Sequence, residues 1–164
     1  MNGRPHSGHQ EIEVREADLA DPRQAEALVT IIDSYARGPG GQNAPLSDHA
    51  RAVMADELRS YPMACVLFAF VATEAAGVAV CVESFSTFAG HPSLNIHDLA
   101  VLPEFQGRGV GTALLEAVAE HGRALGCCKI TLEVHDTNSG AKRLYERAGF
   151  GPWDPLTLFV TRPL

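Results

Sequence analysis

Apolar and polar positions alternate or cluster along this chain in a way that predicts the element order β-α-α-β-β-β-α-β-α-β. Gln10 to Val14 reads as the first strand. Asp21-Pro22 places an N-cap before a proline at the first helical position, opening a helix to about Ala36. Residues 37–45, rich in glycine and proline, predict a loop that suits either a mobile lid or a plain connector. Ser47 caps a second helix to about Ser60, and Pro62 ends it. Cys65–Thr73 and Val78–Phe88 are apolar runs of strand length, with a turn expected at Glu74-Ala-Ala-Gly77. Ala89-Gly-His-Pro92 turns the chain into a further strand from Leu94 to Leu102. In the next helix Val110, Leu114, Val118 and Leu125 lie near one face, and Gly126 supplies the stop. Lys129–Val134 alternates as a strand, 139–148 is a short helix ending at Gly149, and Leu156–Val160 is a last strand.

A meander followed by a strand-helix-strand crossover predicts a mixed sheet with helices on both faces, an α/β fold of the α+β type. The 164 residues suit a single domain, expected over 10–164 behind a disordered tail at 1–9. A hydrophobic share of 46% with 20% charged residues is that of a soluble globular protein. No apolar run approaches the ~18–20 residues that span a bilayer, so no membrane partner is expected. The first residues are polar and lack the apolar core of a secretory signal. The four cysteines form no Cys-x-x-Cys pair, and with that N-terminus they point to a reduced, cytoplasmic setting. The seven histidines show no His-x-x-x-His spacing, so no metal is expected. A net charge of −7 argues against nucleic-acid binding and permits attraction of a cationic amine.

The most informative stretch runs from Leu99 to Leu115. An apolar strand breaks at Pro103, passes through Gln106-Gly-Arg-Gly-Val-Gly111, and enters an amphipathic helix. Backbone N–H groups in such a turn converge on one point, and the helix N-terminus adds its positive dipole end. That combination holds a phosphate or pyrophosphate without a lysine. Glycine at 107, 109 and 111 lets a ligand approach the main chain. A P-loop would need Lys after Gly111, and the dinucleotide fingerprint fails because Thr112 occupies its last glycine position.

Downstream lies Asn138-Ser-Gly-Ala-Lys-Arg-Leu-Tyr145, followed by Gly149-Phe150. This segment and the Gln-x-x-Gly-x-Gly run at 106–111 together resemble the GNAT superfamily of N-acetyltransferases, clearly over about 93–152. The resemblance implies a mostly antiparallel sheet with a central parallel strand pair that splays apart. It implies acetyl-CoA as co-substrate: Leu99 and Val101 main-chain groups on the pantetheine arm, and Gln106, Gly107, Arg108, Gly109, Val110, Gly111 and Thr112 on the pyrophosphate. Asn138 would hold the arm from the other side. Tyr145 resembles the family's general acid beside the coenzyme sulfur. Dimers are common in the family, so a homodimer is compatible with the chain.

An alkylammonium must lose a proton before it attacks, and a thiolate leaves better if it gains one. The candidates for the base are Asp98, His97 and Glu83, in that order, with a water-relayed proton as the alternative. Asp98-Leu-Ala-Val101 resembles a strand of some aminoglycoside 3-N-acetyltransferases in which an aspartate is the proposed base. Strand alternation predicts that His97 and Asp98 point to opposite faces, so one of them at most faces the acceptor directly. Cys81 has no histidine paired with it by any motif, which favours direct transfer over an acetyl-cysteine. The acceptor is expected to be a small-molecule amine, aminoglycoside-like or polyamine-like, and the resemblance implies a pocket built from the first two helices, with Tyr35, Asp48, Asp56 and Glu57 as its contacts. A peptide amine is second, and a non-catalytic acyl-CoA sensor is the alternative of a different class.

Overall fold

A computed structural model describes residues 11–151 and 161–162. The tail expected at 1–9 and the strand expected at Leu156–Val160 lie outside the described residues. The elements are β1 (Ile12–Glu16), α1 (Pro22–Arg37), α2 (Asp48–Ser60), β2 (Ala64–Val71) and β3 (Glu74–Ser86). They continue as β4 (His91–Val101), α3 (Val110–Ala124), β5 (Ile130–Leu132) and α4 (Ser139–Arg147). Among the described residues the strands form one sheet in the order β1-β2-β3-β4-β5. All neighbours are antiparallel except β4 and β5, which the α3 crossover makes parallel.

Each face of the sheet carries its own core. Leu28, Ile31 and Ile32 of α1 pack on Phe68, Val78 and Val80. On the other face Val110, Leu114 and Val118 of α3 meet Leu67, Ala79, Leu94 and Ile96. Side chains sealed this completely, such as Leu28 and Leu114 at 0% exposure, contribute about 1.5–3 kcal/mol each. The mixed sheet with helices on both faces is therefore the observed architecture.

Two local features differ from the sequence expectation. Val71 pairs with Glu74, so the β2–β3 loop is Ala72-Thr73, and the turn expected at 74–77 is already strand. Ala72 takes φ 56°, the left-handed conformation that tight hairpins require of a loop residue. Gly77 serves packing instead. A Cβ there would sit 2.8 Å from the Ala100 carbonyl oxygen and 3.1 Å from Val110 Cγ1.

The second feature is a β-bulge in β4. Val80 pairs with Asp98 whereas Cys81 pairs with Ile96, leaving His97 as the extra residue. The alternation of side chains resets at that point. Ile96 belongs to the α3-side core, yet Ala100, four residues on, belongs to the α1-side core. Without the bulge the two would share a face.

Candidate active site

The strand β4 loses its parallel partner halfway along. The ladder with β5 covers Leu94–Ile130, Asn95–Thr131 and Ile96–Leu132, and stops there. β5 is accordingly shorter than the strand expected at Lys129–Val134. Beyond the split, Leu102 N–H still donates to Ala76 on the β3 side at 2.9 Å. In an antiparallel strand alternate residues turn their main-chain groups to opposite edges. Leu99 and Val101 therefore face the open edge, where Val101 C=O accepts from Gln106 Nε2 at 3.1 Å. This gap beside β4 is an edge that an amide-bearing chain can pair with.

The glycine turn closes one end of the gap. Gly107 and Gly109 adopt φ 73° and 90°, conformations that a side chain would strain. Gly109 is the N-cap of α3, and no side chain caps that helix. The first intrahelical bond runs from Ala113 N–H to Gly109 C=O, so the N–H groups of Val110, Gly111 and Thr112 lack intrahelical acceptors. Gly111 has a different reason to be small: a Cβ there would meet Leu144 Cδ2 of α4 at 3.0 Å. Arg108 lies over the Phe105 ring, 5.2 Å from its centre. These groups fit a pyrophosphate, with free N–H donors, the positive end of a helix and no carboxylate in the turn itself.

Across the gap, Asn138 caps α4, its Oδ1 accepting from Ala141 N–H at 3.1 Å. Its Nδ2 points toward Gly40, where a Cβ would approach within 3.2 Å. Two turns further on, Tyr145 is buried and its ring packs on Phe150, 5.8 Å between centres. Burial pushes its phenol up to about 12, with neighbouring Tyr35 adding to the shift. Tyr145 therefore keeps its proton across the whole working pH range. Its hydroxyl makes no hydrogen bond to another described residue.

Tyr35 links Tyr145 to the base candidates. Its phenol is raised first by burial and then by the charge of Asp98, and its hydroxyl donates to Gly40 C=O at 2.7 Å. The Asp98 carboxyl is raised by burial, an effect that neighbouring His97 partly offsets. Asp98, Tyr35 and Tyr145 thus converge from β4, α1 and α4 on the head of the gap.

Contrary to simple alternation, His97 and Asp98 line the same cavity, because the bulge at His97 brings both to the α1–α2 side. This cavity, about 260 Å³, lies under α2. Its walls are Ile32, Met54, Leu58 and Val80, and Glu57 and Tyr61 complete the lining. The helix α2 has no fully buried residue, and Met54 and Leu58 are only partly covered.

Glu83 is not brought to this group. It pairs with Leu94 and shares its face on the α3 side, where its charge helps burial raise the Cys127 thiol. Strand alternation carries it away, since Val80 faces the cavity and Cys81 and Glu83 fall on sides set by their parity. Asp48 is exposed in the first turn of α2, and Asp56 is exposed and bound to Arg59 at 3.0 Å. Cys81 sits in the core with its thiol pushed up to about 12 by burial, a poor state for a nucleophile.

The loop at 38–46 is tied down. Asp33 accepts from Arg37 Nε at 2.7 Å, Leu46 N–H at 2.8 Å and an Arg51 terminal nitrogen at 2.8 Å. Gln42 and Ala44 N–H both donate to Ala36 C=O. The Arg37 hydrogen bond, then the Leu46 amide, holds the Asp33 carboxyl below the usual carboxylate range. A depressed pKa contributes stability above the unfolded-state value, and this is lost as pH falls through the folded one. Asp33→Asn should therefore lower Tm at neutral pH and speed exchange of the Leu46 amide. The difference from wild type should shrink under acid, and a pH-independent difference would assign the effect to shape rather than charge.

Comparison with known proteins matches residues 27–150 to the profile of the Acetyltransferase (GNAT) family. A mycothiol acetyltransferase of Propionibacterium freudenreichii is 46% identical over 61 residues, 37% of this chain and 20% of that protein. A thialysine N-epsilon-acetyltransferase of Bos taurus is 36% identical over 66 residues, 40% of this chain and 38% of that protein. The chain thus matches well under half the length of these relatives. Among solved structures, a ribosomal-protein-alanine N-acetyltransferase from Brucella melitensis superimposes with TM-score 0.72 at 19% identity. That match covers 93% of this chain and 99% of the other. An aminoglycoside acetyltransferase from an uncultured soil metagenomic sample, in complex with sisomicin, gives 0.77 at 14% identity, covering 93% and 97%. The family profile spans more than half of the sequence and takes in the open β4 edge, the glycine turn and Tyr145: this chain belongs to the Acetyltransferase (GNAT) family.

Proposed function

We propose that the protein is an N-acetyltransferase that moves an acetyl group from acetyl-CoA to a primary amine by direct transfer in a ternary complex. The observation that carries this reading is the open edge of β4, with the uncapped N-terminus of α3 at one end and Asp98 and Tyr145 at the other. The relatives named as acetyltransferases support the same reaction class. The co-substrate supplies the acetyl group as a thioester. Main-chain groups of Leu99 and Val101 would hold its amide arm, with Asn138 opposite. Gln106 to Thr112, Arg108 included, would hold its pyrophosphate.

Asp98 would take one proton from the ammonium and pass it to water by way of exposed His97. Burial raises the carboxyl toward the range useful to a base. The amine nitrogen then forms a C–N bond to the acetyl carbon as the C–S bond breaks. Tyr145 gives its proton to the departing sulfur, and the second proton from nitrogen restores the phenol. Protons and charge balance without a metal or a covalent enzyme intermediate.

Three measurements test this. Coenzyme A should raise Tm where ATP and NAD do not, and equal stabilisation by all three would undo the assignment. Thiol release from acetyl-CoA across a panel of amines should then show turnover with intersecting double-reciprocal plots; parallel ones would mean a covalent intermediate. Tyr145→Phe should lower kcat by about 10²-fold with coenzyme affinity nearly unchanged. An unchanged rate would leave Tyr145 as packing between α4 and the sheet.

A further inference from the structure

We infer that the acceptor is an amine carried on a small apolar body, an alkylamine or arylalkylamine, and not a polyhydroxylated amine or a polycation. This rests on the acetyl-transfer reading above and concerns the cavity beneath α2. Its walls come from three elements: Ile32 of α1, Met54 and Leu58 of α2, and Val80 of β3. Three of these side chains have no polar atom, the Met54 thioether is only a weak acceptor, and the hydroxyl of exposed Tyr61 is the polar group that α2 and its end add besides Glu57. Asp98, half-buried, supplies the anionic end, with His97 beside it. Glu57 is exposed, so it attracts a cation at the rim without stripping its water.

The cavity therefore sets charge against hydrocarbon, with Asp98 on β4 beside Val80 and with Ile32, Met54 and Leu58 from the two helices. An alkylammonium matches both parts in a single orientation, which puts its nitrogen at the Asp98 end. A sugar-based amine would press most of its hydroxyls on Met54, Leu58 and Val80, where they lose water, with only Tyr61 and Glu57 on the helix side to partner the remainder. A polyamine would set a second cation against the same wall. Volume points the same way. At about 260 Å³ the cavity lies below the ~300–1,000 Å³ of typical drug-sized sites. The partial burial of Met54 and Leu58 is explained too, because an apolar acceptor would complete their cover.

The test is a homologous series from n-propylamine to n-hexylamine, with 2-phenylethylamine, spermidine and kanamycin, read as kcat/KM by thiol release. Each added methylene should raise kcat/KM by about 4-fold until the cavity is filled. 2-Phenylethylamine should exceed both polar amines. A flat series, or a faster reaction with kanamycin or spermidine, overturns the inference while leaving acetyl transfer standing. Met54→Gln, nearly isosteric and on a partly exposed helix, should flatten the methylene slope in kcat/KM; an undiminished slope counts against this wall. Binding provides a readout independent of turnover. n-Hexylamine should raise the Tm of the coenzyme A complex more than spermidine does, and the reverse order overturns the inference. If coenzyme A itself fails to raise Tm, the acetyltransferase reading falls and this one with it.

Discussion

Asp98→Asn should lower kcat/KM by about 10²–10⁴-fold and, in the same protein, raise Tm. The first effect follows from removing the base that frees the amine, at the usual worth of a positioned proton acceptor. The second follows from the direction of its pKa. Burial raises the Asp98 carboxyl, so the folded state disfavours the ionised form. A raised carboxyl pKa costs stability progressively as pH climbs from the unfolded-state value through the folded one, and the cost is complete above both. Asparagine carries no such cost, so the gain in Tm should appear at neutral pH and vanish in acid. Wild type should show an acid limb in its pH–rate profile, displaced above the ordinary carboxylate range, and the variant should lose it. A carboxylate kept for structure behaves oppositely: Asp33, with its lowered pKa, should lose stability on the same substitution. If Asp98→Asn retains both rate and acid limb, the proton leaves through His97 or water instead.

The contrast between these aspartates marks where sequence reasoning worked and where it stopped. Local signals were legible because they act within a few residues. Asp21 caps α1 and Pro22 opens it, where capping rules put them, and α1 ends at Arg37, next to the expected Ala36. The glycine turn was legible for the same reason, since a positive φ at 107 and 109 leaves few alternatives to glycine. Non-local features were not. Nothing in Asn95-Ile-His-Asp98 announces that His97 will be an extra residue, because a bulge is a property of two paired strands. That one insertion reverses the inference that His97 and Asp98 face opposite ways. Gly77 misled in a related manner. It looked like turn chemistry, but it is small because Ala100 and Val110 crowd the site from distant parts of the chain. The acceptor walls had a faint signal, Met54 and Leu58 four residues apart on one helix. Periodicity could place them on one face of α2. It could not tell a core beneath that face from a cavity.

Gly109→Asp should weaken coenzyme A binding by about 10²–10³-fold, and most of that loss should be electrostatic. Room is not the obstacle, since a Cβ at 109 would meet Ile12 Cδ1 at an ordinary 3.6 Å. Conformation is a moderate one. The φ of 90° strains any L residue by about 1–2 kcal/mol, although Asp and Asn tolerate the left-handed region better than most. Charge is the large term. Two unit charges about 4 Å apart interact by about 4 kcal/mol at the effective dielectric of a protein surface, roughly 10³-fold in affinity, before screening. Gly109→Asn separates the two effects, because it has nearly the same shape and the same φ demand without the charge. Asn should therefore retain most of the affinity, and the gap between Asn and Asp should narrow as salt rises toward 1 M, where the screening length falls to about 3 Å. Equal losses for both variants would show that backbone geometry alone governs the turn. Undiminished binding to the Asp variant would mean that the pyrophosphate lies elsewhere, and the uncapped α3 N-terminus would no longer bear on the chemistry.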